Sequence, residues 1–402
     1  MSKSSLLKNL QWFERSGVMI PDNGLWGVAE RIVLTADNPA VEKIRMEFPA
    51  YTDFPGYSVI EQRRADCNFE AAFMYLAASM ALKEKRFYDT AVNILDFLYF
   101  RSGLLCRGAK RYPTGSWNWS HIRRDSCVWF DDNAWCIFIA LTVAELYPEL
   151  DARHDMKYWA LELSRCMADA ALTLLPEKME MPPEQSWYDA TGVWTGFLSL
   201  PHWGGLTAMA LSRAFADETE NDAREKYDLY IKKYTGYMQQ YADKFNSSEQ
   251  SYALLSANGI YRFTGNENAL HLSQELSRIL CGKISSAGNL PAEHREAPIG
   301  KHLVDTIYTV NWAVLALQSS FDADARNTGR KLLALLKKIQ DKSSEKHLHG
   351  CWRGMYDLES GCWGGGNCYE GGAGSIYTGW TNAPVAWALA FDILGVDIFQ
   401  LK

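Results

Sequence analysis

The sequence predicts an all-α fold, and three observations carry that prediction. Long segments show the apolar spacing of helices, whereas almost no segment alternates in the manner of a strand. Six of the long segments are apolar on nearly every face, as expected for helices that are buried on all sides. The others carry a charged stripe, which is typical of an outer layer of amphipathic helices.

The six apolar segments begin with polar or small residues and continue with alanine, leucine and aromatic residues. We predict that they form an inner layer of helices at 66–82, 129–147, 202–215, 249–263, 302–319 and 375–394.

Amphipathic segments alternate with the inner ones along the chain. We predict outer helices at 86–101, 156–175, 223–245, 269–284 and 323–341. The N-terminal helix at 4–15 fills the remaining outer position beside the last inner helix and closes a ring of six hairpins. The prediction is therefore a single-domain (α/α)6 toroid over residues 1–402; two helical domains divided near residue 180 are the alternative.

Composition limits the classes of partner. The chain carries 41 Lys and Arg against 48 Asp and Glu, so it offers no basic excess to a nucleic acid. Its nine cysteines are scattered through apolar runs, which indicates buried thiols in a reducing compartment. The N-terminus lacks the apolar core of a signal peptide, and no window is apolar enough to span a membrane. We expect a cytoplasmic protein, or a periplasmic one if a signal peptide has been removed, with its oligomeric state open.

The most informative segment couples a Trp-rich loop to two adjacent carboxylates, Asp131 and Asp132, at the start of an inner helix. A glycosidase needs two carboxyl groups, one to protonate the leaving oxygen and one to act as nucleophile or base. One aspartate would be desolvated by the aromatic residues nearby while the other stays ionised. Helix capping and the helix dipole also favour Asp and Asn at this place, so a structural role is the alternative.

The run WFDDNAWCIFIAL resembles the YDDNAWWALA motif of family 76 glycoside hydrolases, which are endo-α-1,6-mannanases with a six-hairpin toroid fold. In that family the two adjacent aspartates supply the catalytic pair. The resemblance therefore implies a catalytic role for Asp131 and Asp132. From the Trp-rich loop and the helix start themselves, we expect Trp117, Trp119, Trp129 and Asn133 to contact the substrate.

A second polar cluster begins the first inner helix. It contains Asp66, Asn68 and Glu70, and Arg63 and Arg64 precede it. In a ring of hairpins this helix start lies next to that of Asp131, so Asp66 or Glu70 is a candidate partner carboxylate and Asn68 a substrate ligand. Capping by Asp66 and an inward-turned Asn68 form the structural alternative.

Basic residues stand beside both clusters. Besides Arg63 and Arg64, the segment before the second inner helix contains His121 and Arg124. Because an arginine fork binds a carboxylate through two parallel hydrogen bonds, these residues suggest a uronate among the candidate sugars. Solvated surface arginines are the alternative.

The glycine-rich segment near the C-terminus supplies further candidates. It holds Trp352, Arg353, Trp363 and Glu370, and Trp380 opens the last inner helix. Tryptophan faces stack on sugar rings, and Glu370 is a candidate acid or base. The histidines and cysteines here lack paired zinc-ligand spacing, so we expect neither a metal nor a cofactor.

The predicted function is hydrolysis of an oligosaccharide or polysaccharide in an aromatic-lined cleft. A polysaccharide lyase is the first alternative, in which His202 and nearby tyrosines would remove a proton and Asn68 would neutralise charge. A toroid that binds glycans without catalysis is the second.

Overall fold

The computed structural model describes residues 2–36, 38–108, 112–122, 127–178, 189–294, 300–366 and 372–401. Its helices are α1 (Ser2–Arg15), α2 (Val41–Glu47), α3 (Ala65–Leu82), α4 (Lys85–Asp96), α5 (Phe130–Leu146), α6 (Pro148–His154), α7 (Met156–Lys178), α8 (Gly204–Asp217), α9 (Asn221–Gln240), α10 (Ser247–Thr264), α11 (Glu267–Gly282), α12 (Val310–Gln318), α13 (Ala323–Ile339) and α14 (Ala383–Leu394). Two π-helical turns, Phe97–Arg101 and Thr378–Asn382, follow α4 and precede α14.

Six inner helices form a closed ring. In the order α3, α5, α8, α10, α12 and α14, each packs on the next, and α14 packs on α3. Each has an outer partner: α4, α7, α9, α11, α13 and α1, respectively. The predicted (α/α)6 toroid and the predominantly helical fold are therefore confirmed, and α1 lies against α14.

Aromatic side chains fill the centre of the ring. Trp135 of α5 stacks on Trp312 of α12 with 5.2 Å between ring centroids, and Trp387 of α14 packs against both. Because α5 and α12 lie on opposite sides of the ring, this contact crosses its centre. All three side chains are almost completely buried.

Short strands, which the sequence patterns did not reveal, lie mainly before the inner helices. They are β1 (Arg31–Leu34), β2 (Tyr51–Phe54), β3 (Tyr57–Ile60), β4 (Val128–Trp129), β5 (Asp189–Thr191), β6 (Trp194–Gly196), β7 (Leu303–Asp305), β8 (Met355–Asp357), β9 (Cys362–Trp363) and β10 (Ser375–Tyr377). They form three sheets in the orders β10-β1-β3-β2, β4-β6-β5 and β7-β8-β9. Strands of two to four residues are too short to show an alternating pattern.

Two predicted inner helices begin later than expected. The segment predicted to be helical from 302 begins with β7, and α12 starts at Val310. The Asp305 carboxylate explains the difference, because it accepts the backbone N–H groups of Ile307 and Tyr308 and the Thr309 hydroxyl in a turn. The segment predicted to be helical from 375 likewise begins with β10 and a π-helical turn.

No helix within the described ranges is long and apolar enough to cross a membrane.

The central tryptophan contact predicts a large stability effect. Replacing Trp312 by Ala should lower the free energy of unfolding by about 3 to 5 kcal/mol, because the ring centre would be left with a cavity. Urea denaturation followed by circular dichroism measures this change. The matched control is Trp26→Ala, since Trp26 is 50% exposed and should change stability by less than about 0.5 kcal/mol. Equal effects of the two substitutions would contradict the packing described here.

Candidate active site

A cavity of about 630 Å³ lies at the N-terminal ends of the inner helices. Its charged and titratable lining residues are Glu30, Arg31, Lys43, Glu47, Arg64, Asp131, Asp132, His202 and His294. Its aromatic lining residues are Phe48, Trp119, Trp129, Phe197, Trp203, Tyr308, Tyr377 and Trp380. A cavity of this size and composition suits a small polar ligand with flat apolar faces.

Arg64 connects the polar groups on one side of the cavity. Its Nε and Nη2 donate to the two oxygens of Asp66 at 3.1 and 2.9 Å. Nη2 also donates to Asp132 Oδ1 at 2.8 Å, and Nη1 donates to Glu30 Oε1 at 3.3 Å. The guanidinium lies over the Trp380 ring, 4.8 Å from its centroid. Arg64 therefore joins α3, α5 and the segment before β1.

Asp131 and Asp132 begin α5 and differ in their surroundings. Asp131 Oδ2 lies 3.3 Å from Nε2 of His202, whereas Asp132 Oδ1 accepts from Arg64. The second oxygen of each aspartate is buried and has no hydrogen-bond partner among the described residues. Each aspartate thus has one carboxylate oxygen with a polar neighbour and one without a hydrogen-bond partner among the described residues.

Burial is the main influence on Asp132. It raises the pKa of this carboxyl well above its ordinary value, against the opposing effect of the Arg64 cation. The nearby carboxylates of Asp66 and Asp131 raise the pKa further. Asp132 is therefore suited to hold its proton at a higher pH than an ordinary aspartic acid does.

Glu70 and Asp66 fix Trp380 in the cavity wall. The backbone N–H of Trp380 donates to Glu70 Oε2 at 2.7 Å, and its indole Nε1 donates to Asp66 Oδ2 at 2.8 Å. Trp380 has a φ of 30°, a conformation that is costly for a residue with a side chain. Gly379 precedes it, and a Cβ there would lie 2.4 Å from Glu70 Oε2, so this close approach requires glycine.

The structure brings several predicted site residues to one cavity. Arg64, Trp119, Trp129, Asp131, Asp132, His202 and Trp380 all line it. Asp66 and Glu70 are fully buried behind this wall and do not line the cavity. Their predicted direct catalytic role is therefore corrected: both hold Arg64 and Trp380 in place.

Two predicted substrate ligands, Asn68 and Asn133, are occupied by the backbone. The Asn68 amide accepts from the Val28 N–H and donates to the carbonyls of Val28 and Arg64. The Asn133 amide accepts the backbone N–H of Trp117 and donates to the carbonyls of Trp117 and Trp129. Both side chains are fully buried, so the prediction that they bind substrate is wrong.

Other predicted ligands also lie away from the cavity. Trp117 and Trp352 are buried in the core, where Trp117 packs edge-on against Phe69 and the Trp352 indole donates to the Leu336 carbonyl. Arg353 donates to Asp341, and together with Trp363 it lines a separate surface depression. These three tryptophans and Arg353 do not line the aromatic cavity, which corrects their predicted role.

The remaining basic candidates connect different segments of the rim, which comprises the loops and short strands before the inner helices. Arg63 donates to the Trp26 carbonyl and pairs with Glu61, and His121 Nδ1 accepts the backbone N–H of Arg63 at 2.9 Å. Burial lowers the pKa of His121. Neither residue lines the cavity, so their predicted contact with substrate is corrected. Arg124 and Glu370 lie outside the described residues.

The residue set predicted for a lyase assembles only in part, because His202 and Tyr308 line the cavity whereas Tyr252 and Asn68 do not. Tyr252 is buried behind His202, with the two rings stacked at 4.3 Å, and burial raises the pKa of Tyr252 well above its ordinary value. Asn68 is held by backbone groups, as described above. The proposed base and charge-neutralising amide are therefore not presented together at the cavity.

Sequence reasoning missed several residues around this cavity. Glu30 and Arg31 adjoin the start of a four-residue strand, and His294 lies in an irregular segment before β7. Glu249, in the first turn of α10, accepts the backbone N–H of His202 at 2.8 Å. One sequence feature could have indicated Glu30 and Arg31, namely an acidic and a basic residue directly before the apolar run at 32–34.

By sequence, the chain matches no protein-family model and no curated protein. Its structure is similar to that of the family 76 α-1,6-mannanase from Salegentibacter sp. HEL1_6, with a TM-score of 0.55 and 12% identity over 98% of this chain and 100% of that chain. A D-mannose isomerase gives a TM-score of 0.58 at 11% identity, covering 98% and 97% of the two chains. An unsaturated glucuronyl hydrolase specific for heparin gives 0.56 at 8% identity, covering 99% and 98%. The chain therefore has the six-hairpin toroid fold of these proteins.

Glu70 predicts a pH dependence of stability. Burial and the neighbouring Asp66 raise its pKa well above the ordinary value of about 4.3, so the folded protein holds this proton more tightly than the unfolded chain. The contribution of Glu70 to the free energy of unfolding is complete at pH values below its ordinary pKa. This contribution is lost as the pH rises toward the pKa that Glu70 has in the folded protein. Glu70→Gln keeps an oxygen acceptor for Trp380 without the acid. The stability of the variant relative to wild type should therefore increase with pH, by up to about 1.4 kcal/mol per unit.

Urea denaturation at pH 5, 6.5 and 8 tests this expectation. The exposed Glu267→Gln is the control and should follow the wild-type pH profile. A constant stability difference between Glu70→Gln and wild type over this range would show that Glu70 does not carry the predicted proton.

Proposed function

We propose that the protein is a glycoside hydrolase in which Asp132 is the general acid and Asp131 is the nucleophile or base. One observation carries this proposal: two adjacent carboxyl groups lie beside the same aromatic cavity in different surroundings. Hydrolysis of a glycosidic bond requires such a pair, one neutral and one ionised.

Asp132 has the properties of the acid. Burial raises its pKa, and Oδ2 has no hydrogen-bond partner among the described residues, while Oδ1 is anchored by Arg64. A proton on Oδ2 would therefore be available to the glycosidic oxygen. Its transfer avoids expelling a strongly basic alkoxide from the sugar.

Asp131 has the properties of the ionised partner. His202 lies 3.3 Å from its Oδ2, and Asp131 belongs to the first turn of α5, where the helix dipole favours a negative charge. Its other oxygen is directed to no described hydrogen-bond donor. That oxygen can attack the anomeric carbon or remove a proton from water.

The cavity wall suits a sugar. Trp119, Trp129, Trp203 and Trp380 offer flat faces, and two carboxylates hold the backbone and indole N–H groups of Trp380 in place. Arg64 donates to three carboxylates of the protein itself. A uronate carboxylate would accordingly need another cation of the wall, such as Arg31 or Lys43.

The structural neighbours support a carbohydrate substrate. One of them is an inactive variant of the Salegentibacter mannanase, with two adjacent aspartates replaced by asparagine, in complex with α-1,6-mannotriose. Its TM-score to this chain is 0.54. That protein therefore combines this fold with adjacent aspartates and an oligosaccharide.

A sugar isomerase or epimerase is the second candidate. His202 and His294 both line the cavity, and two imidazoles can exchange protons with neighbouring carbons of an open-chain sugar. A D-mannose isomerase and a cellobiose 2-epimerase from Bacillus thermoamylovorans B4167 are among the proteins with similar structures. This reaction would leave the substrate mass unchanged, whereas hydrolysis adds one water.

The proposal is tested by digesting neutral and uronate-containing glycans and determining product masses. Wild type should add one water for each bond cleaved, and Asp131→Asn and Asp132→Asn should each lower kcat/KM by about a thousandfold, since each variant lacks one half of the pair. The exposed Asp324→Asn serves as a control with unchanged activity. Isomerised products or an unsaturated sugar end would contradict the proposal, and so would binding without turnover.

The two aspartates should differ with activated substrates. Aryl glycosides of the released sugar carry a leaving group that needs little protonation, so they should restore much of the activity of Asp132→Asn but not that of Asp131→Asn. Wild-type activity on unactivated glycans should fall as the pH rises through the pKa of Asp132, because the acid then loses its proton. Equal recovery in both variants would contradict the assigned roles.

A further inference from the structure

A second group of side chains lies next to the carboxylate pair, and the proposed hydrolysis uses only one of its members, His202, as the neighbour of Asp131. His202, Glu249 and His294 are all buried, and one donor atom from each lies within 4.8 Å of the others. They come from three separate places: the turn before α8, the first turn of α10 and the segment before β7. Two imidazoles and one carboxylate are a common ligand set for divalent transition metals.

The two nitrogens of His202 have different surroundings. Nε2 lies 3.3 Å from Asp131 Oδ2, whereas Nδ1 is buried and has no hydrogen-bond partner among the described residues. A neutral imidazole that donates from Nε2 presents a lone pair on Nδ1. A carboxylate that binds the second nitrogen of a metal-ligating histidine fixes its tautomer in many metal sites.

The ring planes of both histidines are fixed by stacking. His202 stacks on Tyr252 with an interplanar angle of 4°, and His294 stacks on Tyr308 at 3.8 Å with an angle of 6°. Glu249 Oε2 accepts the backbone N–H of His202 at 2.8 Å, which holds this carboxylate beside the residue. The three donors are therefore held close together before any ion binds.

We propose that His202, Glu249 and His294 bind a divalent transition-metal ion, for which Zn²⁺ is the best match, in the cavity wall beside Asp131. Bonds of about 2.0 to 2.2 Å place two donors of a tetrahedral zinc site about 3.4 Å apart, so the side chains close by at most about 1.4 Å on binding. Both histidines line the cavity, so the remaining coordination position opens toward it. This open position accepts a sugar oxygen, an inference that rests on the proposed function.

The test is direct metal binding in the absence of sugar. Chelator-treated protein is titrated with ZnCl2 by calorimetry, and CoCl2 is added separately to record the visible absorption of Co²⁺ with nitrogen ligands. Wild type should bind one ion per chain. Glu249→Gln and His294→Asn should each bind at least about tenfold more weakly. Asp131→Asn, which removes the carboxylate beside His202 Nε2, should weaken binding by a similar factor.

His271→Asn is the control, because His271 is an exposed histidine on α11 and should leave binding unchanged. Circular dichroism establishes that each variant folds; if Glu249→Gln does not, the Co²⁺ spectra of wild type and His294→Asn decide. Equal affinity of wild type, Glu249→Gln and His294→Asn would overturn the proposal, and so would the absence of Zn²⁺ binding by wild type. Glycan hydrolysis without metal binding overturns this inference alone, and metal binding without hydrolysis overturns the proposed function alone.

Discussion

The ion-pair network of Arg64 is the interaction on which the candidate site depends. This buried guanidinium binds Asp66, Asp132 and Glu30, and it lies against the Trp380 ring. The partners belong to different parts of the rim, so one side chain sets their relative positions. Removing one member of a buried ion pair typically costs about 3 to 5 kcal/mol, because the partner is left charged and unpaired. Breaking the ion pairs of Arg64 should therefore cost about as much stability as removing a large side chain from the core.

The network also explains why the adjacent aspartates are not equivalent. Five buried carboxyl groups, those of Glu30, Asp66, Glu70, Asp131 and Asp132, lie close together around the guanidinium groups of Arg64 and Arg31. Burial of several carboxyl groups so close together opposes the ionisation of all of them at once. The pKa values of Glu70 and Asp132 are raised accordingly. The close grouping of these carboxyl groups therefore favours the protonated form of Asp132, which is the form that the proposed function requires.

The sequence was sufficient to predict the ring of helical hairpins, because buried and amphipathic helices differ in their apolar pattern over many residues. It was also sufficient to bring Asp131, Asp132, His202 and Trp380 to one cavity, since each belongs to the start of an inner helix. It failed for Asn68 and Asn133, whose amides bind a crossing backbone segment rather than a ligand. A polar residue at a helix start looks the same in sequence whether it faces a cavity or a chain segment, and only the path of the preceding loop distinguishes the two.

Asn382 extends this pattern to a third inner helix start. Its amide accepts the Trp352 N–H and donates to the Trp352 carbonyl, as Asn68 does with Val28 and Asn133 does with Trp117. Three asparagines thus hold rim segments against the inner helices. Trp352 and Trp117 are drawn into the core by these contacts, which explains why aromatic residues in glycine-rich loops do not all reach the cavity. These described loop segments are consequently hydrogen-bonded to the inner helices. Trp380 likewise keeps its unfavourable backbone conformation because Glu70 and Asp66 of α3 accept its two N–H groups.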